Sequence, residues 1–189
     1  MFEGAAAQRA VDLVNALPPT QRSGADDDRL ALGAVSDVLQ RWGETIDDEL
    51  AGELDALRAV VADLARLLSI DDVEDAAAGL NERLRLHAGP PRLEREPGWE
   101  WHLHVDPPGA SWSRWLAASS AMGLAALFAG SHRVPWGRCP EPGCGRFFLD
   151  RGRSTAQRYC STACATRARV RRHRGDVRPD ATGAASDRS

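Results

Sequence analysis

Apolar side chains recur at three- and four-residue steps through most of the first 130 positions. Over 5–17, Val11, Val14 and Leu17 fall near helical spacing before Pro18 and Pro19, whose rings cannot continue a helix. Residues 20–28 are polar and read as a loop. Over 29–42, Leu30, Val35, Val38, Leu39 and Trp42 share one face. The clearest stripe, Leu50, Leu54, Leu57, Val61, Leu64 and Leu68, predicts a helix over 47–68. Another over 71–87 carries Val73, Ala77, Leu80 and Leu84, with His87 one step further along as a hydrogen-bonded residue at the core's edge.

The period changes near Gly89. Residues 92–95 and 99–105 flank a Glu-Pro-Gly turn, and Trp99, Trp101, Leu103 and Val105 alternate with polar residues. A period of two predicts a β-hairpin near 92–105. Helical spacing returns over 112–128 through Trp112, Trp115, Leu116, Leu124, Leu127 and Phe128. The tryptophans read as core aromatics in preference to the lining of an apolar pocket. A tail over 177–189, rich in Asp, Gly, Ala and Ser, is expected to be disordered.

Charge changes the picture because it is segregated. Residues 1–137 hold 12 Arg against 22 acids, a net −10, whereas 138–178 hold 11 Arg against three acids, a net +8. Every Lys/Arg position is Arg, which a genome rich in G and C explains as well as guanidinium recognition does; the clustering is what matters. A basic stretch this short reads as an anion-binding surface. No segment has the run of about 18 apolar residues that a membrane span needs. The opening MFEGAAAQRAVDLVNAL has neither a basic start nor an unbroken apolar core, so a cytoplasmic protein is expected.

The basic segment also holds all four cysteines, Cys139, Cys144, Cys160 and Cys164, as C-x4-C-x15-C-x3-C within 26 residues. Two thiol pairs around a hairpin-sized insert suit a tetrahedral Zn(Cys)4 site, whereas disulfides need an oxidising compartment. Gly143 and Gly145 suit a tight knuckle, 146–149 has strand character, the chain returns over 157–160, and Ser161 can cap a helix carrying Cys164 in its first turn. Knuckle, hairpin and helix N-terminus make a treble clef. A module of about 40 residues buries too little apolar surface to stand without its metal, so one structural Zn2+ is expected. Substituting a ligand is expected to unfold the finger and spare the helices. The fold expected is mainly α with one β-hairpin (α+β): a helical domain over 1–132, then a small treble-clef-like zinc finger over 133–176.

The stretch CPEPGCGRFFLDRGRSTAQRYCSTACATRARVRRHR resembles the CGNR-type zinc finger. Cys139, Cys144, Cys160 and Cys164 fall on that family's zinc ligands. Gly145, Phe148, Asp150 and Arg153 fall on its hairpin positions, and Arg158, Cys160 and Ser161 on its return strand. Gly152 stands where Ser is usual, Tyr159 where Trp is common, and Cys164-Ala165-Thr166-Arg167 where the signature reads Cys-Gly-Asn-Arg. Upstream, Asp12-Leu13-Val14-Asn15 followed by a helix containing Trp42 resembles the start of the ABATE domain, which precedes this finger in bacterial stress-response transcription regulators.

The resemblance implies a DNA-binding regulator, not an enzyme, whose helical domain takes a small-molecule or protein signal or forms a homodimer. Arg167, Arg171 and Arg174 share one helix face with Arg169 and Arg172 beside them, and with Arg153 and Arg158 they are the candidate nucleic-acid contacts. Pairing of these arginines with the acidic helical domain is the competing role. Two other functions compete: a zinc-stapled RNA- or protein-binding adaptor, and a treble-clef nuclease. The nuclease needs a hairpin histidine that the finger lacks, leaving only His173. His102 and His104 share one strand face, which permits a metal pair, but the pattern offers no third ligand.

Overall fold

The computed structural model describes residues 3–17, 24–95, 100–150, 152 and 156–176. The tail over 177–189, the Glu-Pro-Gly turn, Trp99 and Arg153 lie outside the described residues. The elements run α1 (Glu3–Ala16), α2 (Ala25–Arg41), α3 (Glu49–Gly52), α4 (Leu54–Leu67), α5 (Val73–His87), β1 (Arg92–Glu94), β2 (His102–His104), α6 (Trp112–Ala129), β3 (Trp136–Arg138), β4 (Phe147–Leu149) and α7 (Thr162–Asp176). The protein is mostly helical with two small antiparallel hairpins. None of these helices is long and apolar enough to cross a membrane.

Helix α1 is the hub. Ala7, Ala10, Val11, Leu13 and Val14 are buried against α2, α4, α6 and β4. Small side chains let α6 come close: a Cβ on Gly123 would lie 2.7 Å from the Ala7 nitrogen. The stripe read over 47–68 forms the core as expected, through Leu50, Leu57, Val61, Leu64, Leu67 and Leu68. It is broken at Glu53, between α3 and α4, and the break has a purpose. The Glu53 carboxylate accepts hydrogen bonds from the Trp112 and Ser113 amides, both at 2.9 Å, and from the Ser113 hydroxyl at 2.6 Å. It thereby satisfies donors that the first turn of α6 leaves open.

Two expectations need correction. The first hairpin pairs Arg92 with His104 and Glu94 with His102, as the period of two implies, but it turns its apolar face outward. Leu93, Trp101 and Leu103 are exposed, and the polar side of the ladder faces in. Trp42, Trp112 and Trp115 do pack on the core. The second correction concerns β4, whose partner is β3, upstream of Cys139, and not the return segment 157–160. Trp136 decides this: it is buried in the main core and its indole N–H donates to the Ile70 carbonyl at 3.2 Å. Gly137 then leaves room for the Phe148 ring, which a Cβ there would meet at 3.2 Å.

Candidate metal centre

The tip of the β3–β4 hairpin is a knuckle. The Cys139 amide donates to the Arg146 carbonyl at 2.8 Å, and the Cys144 amide to the Glu141 carbonyl at 2.9 Å. Gly143 and Gly145 take φ of 78° and 62°, a conformation that L side chains disfavour. Opposite the knuckle, the Ser161 hydroxyl accepts from the Cys164 amide at 3.2 Å and caps α7. The cap aims Cys164 at the pair from the knuckle.

The four sulfurs converge. Sγ separations are 3.5 Å for Cys144–Cys160, 3.6 Å for Cys160–Cys164 and 3.7 Å for Cys164–Cys144. A disulfide would bring two of them to about 2.05 Å, and all four thiols are free. A tetrahedron with Zn–S bonds of about 2.3 Å has edges of about 3.8 Å, so the spacing fits one structural Zn2+. Among the described residues this is the one group of three or more ligating side chains whose donor atoms all lie within 4.8 Å of one another. Without a cation the thiols are inequivalent: burial pushes Cys160 up to about 12, while the Ser161 hydroxyl draws Cys164 down to about 7. Zinc bound by Cys139, Cys144, Cys160 and Cys164 would supply folding energy and, with its shell closed by sulfur, no site for a reactive water.

Residues 136–175 match the CGNR zinc finger family. No curated protein matches the chain. The match covers the finger alone, and inside it the cysteine cage stands although Ala165 and Thr166 replace the Gly-Asn of the family signature.

The finger contains a residue that no local pattern singles out. Glu141, between two prolines of the knuckle, is 5 % exposed and accepts two hydrogen bonds from Arg171, at 2.9 and 2.7 Å. Arg171, and secondarily Arg167, hold its carboxyl below the usual value. Arg167 lies 3.6 Å from Glu141 and also donates to the Cys164 sulfur at 2.9 Å. A Pro-Glu-Pro loop reads as solvent-facing; only the fold reveals that α7 lies across it. Arg167 and Arg171 are therefore engaged inside the finger, and among the described residues no ion pair joins them to the acidic helical domain.

The other candidates fall differently. Arg158, Arg169 and Arg172 are exposed, and no ion pair engages them among the described residues. Arg174 lies on α7. Asp150 pairs with Arg133, at 2.5 Å. Burial raises the Asp150 carboxyl, but Arg133 together with the Gly152 and Gln157 amides outweighs it, and the net shift is downward. Between α1 and the finger lies a cleft of about 550 Å3, lined by Asp12, Asn15, Arg146 and Arg167 and walled by Cys144, Cys160 and Cys164.

Proposed function

We propose that the protein is a DNA-binding transcription regulator in which a helical ABATE-like domain over 1–132 receives a small-molecule or protein signal, or pairs two chains, and the CGNR finger over 133–176 binds DNA. The observation that carries this reading is the state of α7. Its root is held by Cys164 and by the Arg171–Glu141 pair, while Arg169 and Arg172 project into solvent without a partner among the described residues. A helix fixed at one end with free guanidinium groups suits phosphate contacts, and an α-helix fits the major groove.

The residues behind the ABATE resemblance support a coupling role. Asp12 accepts from the Trp42 indole at 3.1 Å, joining α1 to α2, and Asn15 reaches the finger. A signal that shifts α1 thus has a route to the metal module.

Titrating duplex DNA at several salt concentrations tests the reading. Log affinity should fall with log salt at a slope of about −0.9 per neutralised phosphate. Arg169→Ala and Arg172→Ala should each reduce the slope by about one, with zinc content unchanged. Absence of any duplex affinity at low salt, together with capture of RNA or protein, would replace the regulator with the adaptor.

A further inference from the structure

We propose that the Cys144–Cys160 edge of the cage is a modification site, oxidised to a disulfide by hydroperoxides, and that burial and Arg167 confine the reaction to that edge. The inference rests on the zinc cage and stands independently of DNA binding.

Zinc holds all four sulfurs as thiolates, so exposure and hydrogen bonding decide which of them reacts. The four differ in both. Cys139 and Cys164 are buried, 4 % and 2 % exposed, in a cluster with the Phe148 ring. Cys144 and Cys160 pack against that cluster while remaining partly exposed. Both also line the cleft between α1 and the finger, whose volume of about 550 Å3 readily admits a hydroperoxide. Cys139 is not among the described residues that line it.

Cys164 does border the cleft, and there a cation covers it. Arg167 Nη2 donates to Cys164 Sγ at 2.9 Å. A guanidinium bonded to a thiolate draws electron density from the sulfur and makes it a poorer nucleophile. Among the described residues no charged side chain donates to the other three sulfurs. Arg167 is exposed, but the buried Glu141 tethers it, with Oε1 3.6 Å from Arg167 Nε.

The accessible pair is also placed to react with itself. Cys144 Sγ and Cys160 Sγ lie 3.5 Å apart, and a disulfide needs about 2.05 Å, so each sulfur moves by about 0.7 Å. An accessible thiolate with a second thiol beside it is the arrangement that oxidation favours. One sulfur attacks an oxygen of the hydroperoxide, the O–O bond breaks, and the cysteine becomes a sulfenic acid while the departing oxygen takes a proton from solvent. The second sulfur then attacks the sulfenic sulfur, the S–S bond forms, and the expelled hydroxide takes another proton to leave as water. Two electrons pass from the sulfur pair to the hydroperoxide, and a cage left with two thiolates loses its ion.

The test uses the full chain carrying one zinc, treated with substoichiometric hydrogen peroxide. Remaining thiols are capped with iodoacetamide in denaturant, disulfides are located by peptide mass spectrometry, and released zinc is followed with a chromogenic indicator. Four sulfurs form six possible pairs, so an unselective reaction would put about one sixth of the disulfide in each. Cys144–Cys160 should instead hold most of it, with one zinc lost per disulfide. Arg167→Gln should raise the share of disulfides containing Cys164 severalfold, and Arg167→Lys, which restores the charge but not the shape, should return the parental map. Because a variant may misfold, the map of the unmodified chain stands as a test by itself. An even spread over the six pairs, a first disulfide that joins Cys139 to Cys164, zinc and reduced thiols retained under excess peroxide, or an Arg167→Gln map identical to the parent's would each overturn the proposal.

Discussion

The side-chain amide of Asn15 brackets the backbone of Phe147, accepting from its N–H at 2.9 Å and donating to its carbonyl at 3.0 Å. Helix α1 thus supplies one rung to the open edge of β4, whose other edge is paired with β3. A side chain in the first helix closes the hydrogen bonding of a strand 132 residues away. Trp136 and Leu149, at the paired ends of the same hairpin, belong to the main helical core.

Replacing Asn15 with Leu keeps the bulk but leaves a backbone donor and acceptor unpaired. The expected loss is about 1–3 kcal/mol. For a chain of this size that lowers the melting temperature by roughly 2–4 °C per kcal/mol. Because the finger shares the helical core, chelating the metal should lower the melting temperature of the whole molecule, contrary to a finger that unfolds alone. A calorimetric scan with and without chelator checks both; a helical transition unmoved by chelator would break the link.

Glu141 makes the two arginines nearest the cage part of its architecture. Arg171→Ala would leave a buried carboxylate with only the more distant Arg167, while Arg169→Ala disturbs no side-chain bond among the described residues. Removing one partner of a buried pair costs more than the pair is worth, although the exposure of Arg171, 52 %, moderates the loss here. Zinc should pass to a competing chelator faster from Arg171→Ala and Glu141→Gln than from Arg169→Ala. Equal transfer rates in all three would show that the pair does not support the cage.

What the sequence disclosed and what it withheld divide along physical lines. The stripe from Leu50 to Leu68 was legible because burying one helix face demands periodic apolar residues. The four cysteines were legible because coordination fixes both residue type and spacing. The partner of β4 was not, since β3 is only three residues long and Trp136 carries no period. The outward face of Trp101 was not either: alternation says that two faces differ, not which one meets the core. Glu141, Glu53 and the far partner of Asn15 are single polar residues whose meaning lies in long-range contacts, and local pattern carries no record of those.

Acid should weaken the molecule partly through Glu53. Burial raises its carboxyl, but hydrogen bonds from the Ser113 hydroxyl and the Ser113 and Trp112 amides outweigh that, and the net value lies below the ordinary 4.5. A carboxyl depressed in the folded state contributes stability that is fully present above its unfolded value and is lost as pH falls through the folded one. Glu53→Gln should therefore destabilise at neutral pH, by about 1–2 kcal/mol for a lost helix-terminal acceptor. The difference from the parent should shrink below pH 4.5 as the parent's own carboxylate is protonated. Metal release by acid affects both proteins alike, so denaturant melts of the pair isolate this carboxyl. A gap between them that held constant down to strong acid would be inconsistent with an ionised cap.

Two glycine-to-alanine changes in helices should have opposite signs. Gly33, in α2, is exposed, and a Cβ there meets nothing within 4 Å. Alanine at that site gains about 0.5–1 kcal/mol from reduced backbone freedom in the unfolded chain. Gly123, in α6, would gain the same, but its Cβ would lie 2.7 Å from the Ala7 nitrogen and 2.8 Å from the Ala6 Cβ. Those are main-chain and short side-chain atoms, which cannot swing aside. Helix α1 cannot retreat as a body, because the Asn15–Phe147 bracket and the buried Arg9, paired with Glu44 and stacked 4.2 Å over the Trp115 ring, hold it in place. Overpacking costs about 1–3 kcal/mol, which exceeds the propensity gain. Gly123→Ala should therefore lower the melting temperature while Gly33→Ala raises it, measured on zinc-loaded protein under the same conditions. A rise in both would mean that α1 and α6 can part without penalty, and that the close crossing at Ala7 does not set the packing of the core.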